Sequence, residues 1–253
     1  MKDITAAGPT SPGPNVEQVR PQGRLSSWIG LLRGQVVLVA VGVLVLLFGL
    51  VLGLVLDANL QPTWWDIRLT HEIQEFPGPI GGVLVLVSEP GFAPWNWLLP
   101  ILTVLALLAL RWRVEAMFLA LASVGGFSAE LVKHVVLRPR PVPQFADISF
   151  PLTTPSFPSG HVTGYVTFFG FAFYLAFTLL PRNNPLRWLV LVMCGLMVAL
   201  VGPSRVYMGQ HWSSDALAGY FLGFAWLLFS IQLHRAWLRR QALKVVALPE
   251  SSP

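Results

Sequence analysis

Apolar residues along this chain gather into long runs, unlike the alternating or 3.6-residue patterns of elements that bury one face and wet the other. Six runs stand out, at residues 36–56, 92–110, 114–137, 162–180, 186–201 and 216–233, each closed by a polar break. A hydrocarbon core about 30 Å thick takes roughly 20 apolar residues per helix. The pattern therefore predicts an all-α, integral membrane bundle of six transmembrane helices, the fifth being the shortest. Residues 57–91 carry Pro62, Pro77, Pro79 and Pro90, and the apolar stretch 80–87 within them is expected as a short interfacial or re-entrant piece. Trp64, Trp65, Trp95, Trp97, Trp112, Trp188, Trp212 and Trp237 fall at or near span ends, where amphipathic rings settle at the membrane interfaces. Gly49 with Gly53, and Gly219 with Gly223, have the spacing that lets helices approach closely, a spacing also common in apolar helices that make no such contact.

Composition agrees with the runs. Of 253 residues, 54% are hydrophobic and 11% charged, where a soluble domain carries about 25% charged residues. The net charge of +5 includes no long basic run, so nucleic acid is not an expected partner; the bilayer is. Residues 1–34 begin with a stretch rich in Pro, Gly, Ser and Thr and are expected as a disordered N-terminal tail. The bundle is placed at 35–237 and a C-terminal tail at 238–253. The first apolar run is too long and too late for a cleaved signal peptide. Cys194, the single cysteine, sits among apolar neighbours and reads as a small buried residue.

Charge sets an orientation. Twelve of the seventeen Lys and Arg residues fall at the termini or in loops on one side, among them Arg33, Arg111, Arg113, Arg182, Arg187 and Arg235. That side is expected to be cytoplasmic, which puts both termini inside and the loops after the third and fifth spans outside.

Those two loops hold three polar clusters. The third span ends in Glu130, Lys133 and His134, followed by Arg138, Pro139, Arg140 and Pro141. Ionisable groups within a span are costly and usually functional, although a lysine near a helix end also snorkels to the interface. Glu130 lies one turn before Lys133 and is its expected partner. Pro158, Ser159, Gly160 and His161 precede the fourth run, so they form a helix N-terminus whose free N–H groups attract anions. Ser159 has a plainer reading as the helix cap. Ser204 and Arg205, then His211, Trp212, Ser213, Ser214 and Asp215, join the last two spans. Asp215 is four residues beyond His211 and can fix the imidazole tautomer, leaving the other nitrogen to act as a nucleophile; the plainer reading is a capping Asp beside an interfacial His. His71, His134 and His234 are expected at the interfaces.

The order and spacing of these clusters resemble the type 2 phosphatidic acid phosphatase (PAP2) superfamily, whose fold is shared by vanadium-dependent haloperoxidases and bacterial acid phosphatases. Lys, six residues, Arg and Pro correspond to Lys133, Arg140 and Pro141; Pro-Ser-Gly-His corresponds to Pro158–His161; Ser-Arg, five residues, His, three residues and Asp correspond to Ser204, Arg205, His211 and Asp215. Eleven residue types at roughly one in twenty each give a chance on the order of 10⁻¹⁴ per placement, which separates this set from its plainer readings. The resemblance implies hydrolysis of a lipid phosphate or lipid (prenyl) pyrophosphate at the outer face, without metal or cofactor. In that scheme His211 attacks phosphorus, Asp215 orients it and His161 is the acid and base. Lys133, Arg140, Arg205, Ser159, Gly160 and Ser204 hold the phosphate. Phosphotransfer to another acceptor would use the same residues. A transporter would account for Glu130 and Lys133 but not for the histidine clusters.

Overall fold

A computed structural model of the chain describes residues 22–246, with side chains from 34 to 244. Most of the expected N-terminal tail and the last residues of the expected C-terminal tail lie outside the described residues. Of the described residues, those up to Val36 fall in one unit and those from Val37 onward in a second, which is the bundle.

All described regular elements are helices: α1 (Gln22–Asp57), α2 (Trp64–Gln74), α3 (Gly78–Ser88), α4 (Trp95–Ala109), α5 (Arg113–Ser123), α6 (Gly126–Val136), α7 (Gly160–Leu179), α8 (Pro185–Tyr207) and α9 (Ser213–Val246). Five stretches are long and apolar enough to cross a membrane; α3 and α4, which meet at a 65° bend, make a sixth when the pair is counted as one broken span and a re-entrant loop otherwise. The second run supplies α4 alone, a helix of 15 residues, and the bend lies just before it. Pro90 and Pro94 flank the bend, and neither can donate a helical hydrogen bond.

The third span is also interrupted. Gly125 N–H bonds to Ala122 O rather than to Leu121 O, and the released Leu121 carbonyl accepts Trp226 Nε1 at 3.3 Å. Any side chain at Gly125 would collide with the Trp226 ring, so α5 and α6 part where α9 inserts an indole. Arg113–Val136 still has the length of one crossing.

The main core gathers α3, α5, α7, α8 and α9 around residues such as Leu119, Val162, Val166, Phe171 and Val201. A smaller cluster joins Val51 and Val55 of α1 to Val136, Phe157 and Ala218. Outward-facing side chains stay apolar, Val135 being 81% exposed, as suits a bundle bathed in hydrocarbon. The Gly219 and Gly223 pair does bring helices together: a Cβ on Gly219 would lie 2.8 Å from Ser159 O, and one on Gly223 would lie 2.8 Å from Val166 Cβ. Gly49 and Gly53 face open space.

Three further expectations are revised. α8 continues to Tyr207, so Ser204 and Arg205 occupy its last turn and not a loop; Pro203 is carried inside the helix. α9 continues to Val246, beyond the end of the last apolar run at 233. His234 is not interfacial but buried, with Nδ1 3.0 Å from Tyr174 Oη and the rings of Phe118 and Phe171 edge-on to it.

Candidate active site

Backbone and side-chain bonds pin the three polar clusters to one another. Ser156 N–H donates to Arg138 O at 2.8 Å and Ser159 N–H to Asp215 O at 3.0 Å. Trp212 Nε1 donates to Pro139 O at 3.2 Å, and Ser156 Oγ to the same carbonyl at 3.0 Å. The ends of α6, α7, α8 and α9 thus converge on one place, although Lys133 and Asp215 are far apart in sequence.

There they border a cavity of about 440 Å³. Its lining is polar where α6 ends and α7 begins, at Glu130, Lys133, Gly160 and His161, and apolar farther along the same two helices, at Phe127 and Phe168; Arg140 and His211, and Trp95, Leu99 and Phe169, complete the polar and apolar sets. Arg140 is held by Thr154, with Nε 2.7 Å from the carbonyl and Nη2 3.0 Å from Oγ1. Its Nη1 lies 3.3 Å from His211 Nε2. Burial pulls the Arg140 guanidinium below its ordinary value, opposed by the charges of Asp215 and Glu130. Burial is also the largest cause holding the His211 imidazole well below 6.5, followed by the charges of Arg140, Arg205 and Lys133. His211 is consequently neutral near pH 7, with an available lone pair. Its Nδ1 faces Asp215 Oδ2 at 3.6 Å, longer than a hydrogen bond, and Oδ2 accepts Trp212 N–H at 2.9 Å.

Arg205 is fully buried; Nη1 donates to Ser88 Oγ at 2.9 Å. Its guanidinium lies 4.9 Å from the centre of the Phe92 ring, and Phe92 in turn meets the His161 ring edge-on at 5.2 Å. Among the described residues, Arg205 Nε and Nη2, His161 Nε2 and His211 Nδ1 are buried without a hydrogen-bond partner. A buried polar atom without a partner is expensive, and these four belong to the same cluster. An anion with several oxygens would satisfy the donors among them.

Two residues expected to hold phosphate are otherwise engaged. Ser204 Oγ donates to Leu84 O at 2.5 Å and lies 2.5 Å from Ser88 Oγ, so it fastens α8 to α3. Ser159 caps α7, accepting Val162 N–H at 3.4 Å, which is its plainer reading. Neither lines the cavity, nor does Arg205, which lies against Phe92, whereas Gly160 does. Lys133 Nζ is taken by Glu130 Oε1 at 2.7 Å, as expected for that pair.

Arg138 carries no mark in the sequence as a site residue. Wholly buried, it donates from Nη1 to Asp215 Oδ1 at 2.6 Å and to Ser214 Oγ at 2.6 Å, and from Nη2 to Asp66 Oδ2 at 2.8 Å. Asp66 also accepts Ser214 N–H at 2.8 Å and closes a capping box with Thr63 at the start of α2. The Thr63-x-x-Asp66 spacing is a readable sign of that helix start; nothing local connects it to Arg138.

Residues 113–239 match the PAP2 superfamily. The chain belongs to that family. Phosphatidylglycerophosphatase B of Bacillus subtilis is 34% identical over 102 residues, covering 40% of this PAP2 chain and 47% of that one. An undecaprenyl-diphosphatase of Sulfolobus acidocaldarius is 32% identical over 161 residues, covering 61% and 70% respectively. The PAP2 chain thus spans about half the length of the first relative and 70% of the second. Its fold also matches the crystal structure of a transmembrane PAP2 type phosphatidylglycerolphosphate phosphatase from Bacillus subtilis, with a TM-score of 0.64 over 78% of this chain and 96% of that chain at 19% identity.

Proposed function

We propose that this PAP2 protein is a membrane lipid phosphatase acting on a lipid phosphate or lipid pyrophosphate through a phosphohistidine. One observation carries the reading: Lys133, Arg140, His161 and His211 border the polar end of a cavity whose other end is aromatic and aliphatic. Such a cavity suits a ligand with an anionic head and a hydrocarbon tail. The named activities of the two relatives, on phosphatidylglycerophosphate and undecaprenyl diphosphate, support the same substrate class.

Phosphoryl transfer depends on positioning and on spreading charge from the equatorial oxygens into fixed donors. Lys133, Arg140, Arg205 and the Gly160 N–H serve as those donors, without a metal. His211 Nε2, neutral and beside Arg140, attacks phosphorus in line; an N–P bond forms and the bond to the leaving oxygen breaks. His161 gives that oxygen its proton, then takes one from the water that splits the N–P bond and releases phosphate. Asp215 steadies His211 from the Nδ1 side, and Arg138 is a positioning residue that holds Asp215. The catalytic unit is residues 35–237, with both tails cytoplasmic and the cavity on the outer face.

Phosphate release by protein purified in detergent tests the activity, on a panel of phosphatidic acid, phosphatidylglycerol phosphate and a prenyl diphosphate. His211→Ala should reduce release to background, and residual turnover near the wild-type rate would remove His211 from the nucleophile's role. A reporter fused after Pro253 should signal from the cytoplasm; an outward signal would invert the topology.

A further inference from the structure

Among the described residues, Glu130 is the one carboxylate lining the cavity, where an enzyme for anions has no evident use for negative charge. Its place is set by two neighbours. Oε1 lies 2.7 Å from Lys133 Nζ, and a Cβ on Gly160 would be 2.8 Å from the same oxygen. The carboxylate therefore presses on the first turn of α7, level with His161, which follows Gly160 directly. Its side chain is half exposed while that of Lys133 is buried, so Glu130 presents its charge to the cavity.

The wall of α6 reads as a ladder. Lys133, Glu130 and Phe127 all line the cavity at three-residue steps, each rising about 4.5 Å along a helix. Ammonium, carboxylate and phenyl ring follow one another from the polar end toward the tail end. The opposite wall, α7, passes likewise from His161 through Tyr165 to Phe168. A substrate lying along these walls puts its terminal phosphate at Lys133, its tail at Phe127 and Phe168, and the group bonded to that phosphate at Glu130. In a phosphomonoester this group is an uncharged ester oxygen and its carbon. A diphosphate puts its second, charged phosphate there.

We propose that Glu130 is a specificity-determining residue that selects lipid phosphomonoesters over lipid diphosphates by placing like charge against the second phosphate. The proposal rests on the lipid phosphatase reading above. Rejection by an opposed charge is a common route to specificity, because the wrong partner is made costly without new contacts to the right one. Glu130 also keeps Lys133 paired until substrate arrives, which makes the alternative concrete: a residue that merely holds Lys133 in place would affect both substrates alike.

The test compares initial rates of phosphate release from farnesyl monophosphate and farnesyl diphosphate, which share one tail, for wild type, Glu130→Gln and Glu130→Asp. Gln keeps the shape and can still accept from Lys133, but it removes the charge; Asp keeps the charge. The ratio of kcat/KM for diphosphate to that for monophosphate should rise about tenfold in Glu130→Gln and stay near the wild-type value in Glu130→Asp. An unchanged or lower ratio in Glu130→Gln, even with both rates reduced, overturns the proposal and leaves Glu130 as a strut for Lys133. A rise of similar size in Glu130→Asp also overturns it, because geometry and not charge would then be responsible. Wild-type protein that releases phosphate from neither substrate nor from the phospholipid panel would instead sink the phosphatase reading itself.

Discussion

Replacing Arg138 with Met removes one partner from two buried carboxylates at once. Arg138, Asp66 and Asp215 have no side-chain exposure, and the ion pairs measure 2.8 Å and 2.6 Å. Breaking a buried pair by deleting one member costs about 3–5 kcal/mol, because the remaining charge is left in a poorly polarisable interior. The two losses share one guanidinium and do not simply add. At about 1.4 kcal/mol per factor of ten, the unfolded population rises by at least roughly two powers of ten. Cys194 supplies the assay, since it is the single thiol and is buried: a maleimide dye that fluoresces on reaction reports unfolding as temperature rises. The Arg138→Met midpoint should fall well below the wild-type value. Arg138→Lys should fall between them, because one ammonium cannot span both carboxylates as a planar fork does. Turnover of surviving Arg138→Lys protein should drop roughly 10²-fold through misplacement of His211, with KM less affected. An unchanged midpoint in Arg138→Met, together with unchanged kcat/KM, would refute the assignment of Arg138 as the member that holds Asp215.

Three other outcomes are expected. His211 is held well below 6.5 by burial and by Arg140, Arg205 and Lys133, so it stays neutral as pH falls through that value, and the acid limb of kcat/KM assigned to it should lie below 6.5. The unfolded chain does take up that proton near 6.5 while the folded one does not, so His211 should lower stability as pH drops through 6.5; an acid limb at or above 6.5 would contradict the assignment. Gly223→Leu should lower the Cys194 dye midpoint, since its Cβ alone would lie 2.8 Å from Val166 Cβ and 3.3 Å from Thr163 O, an overpacking cost of about 1–3 kcal/mol. Gly49→Leu meets nothing within 4 Å and should leave the midpoint unchanged or slightly raised; equal losses at both glycines would refute the packing contrast. Phosphate release should survive EDTA, because Lys133, Arg140 and Arg205 carry the charge stabilisation; loss that Mg²⁺ restores would require a different mechanism.

The spans were legible because a hydrocarbon solvent demands long apolar runs, and α7, α8 and α9 lie where those runs fall. The polar clusters were legible because their spacing within each stretch is fixed by helix ends and turns. Departures arose where distant residues decide. The fifth apolar run ends at 201, yet α8 continues through Pro203 to Tyr207, which places Ser204 where it fastens on Leu84 and Ser88. The break between α5 and α6 depends on Trp226, about a hundred positions later in the chain. His234 was assigned to an interface because no neighbour in sequence marked it otherwise; its partner, Tyr174, is sixty residues away. Arg138 stood in plain view between Leu137 and Pro139, but its role is defined by Asp66, seventy-two residues earlier. Patterns within a helix report its solvent and its ends, while pairings across the bundle leave no local trace.

The cavity's aromatic end is walled in part by side chains that also face outward, Phe127 being 68% and Trp95 47% exposed. A ligand entering past them can exchange headgroup surroundings without withdrawing its tail from the hydrocarbon, so encounter becomes a search in two dimensions. The effective substrate concentration is then a mole fraction in the surface and not an amount per litre. Adding inert lipid or detergent at constant total substrate should slow the reaction by surface dilution, whereas adding water should leave the rate per protein unchanged.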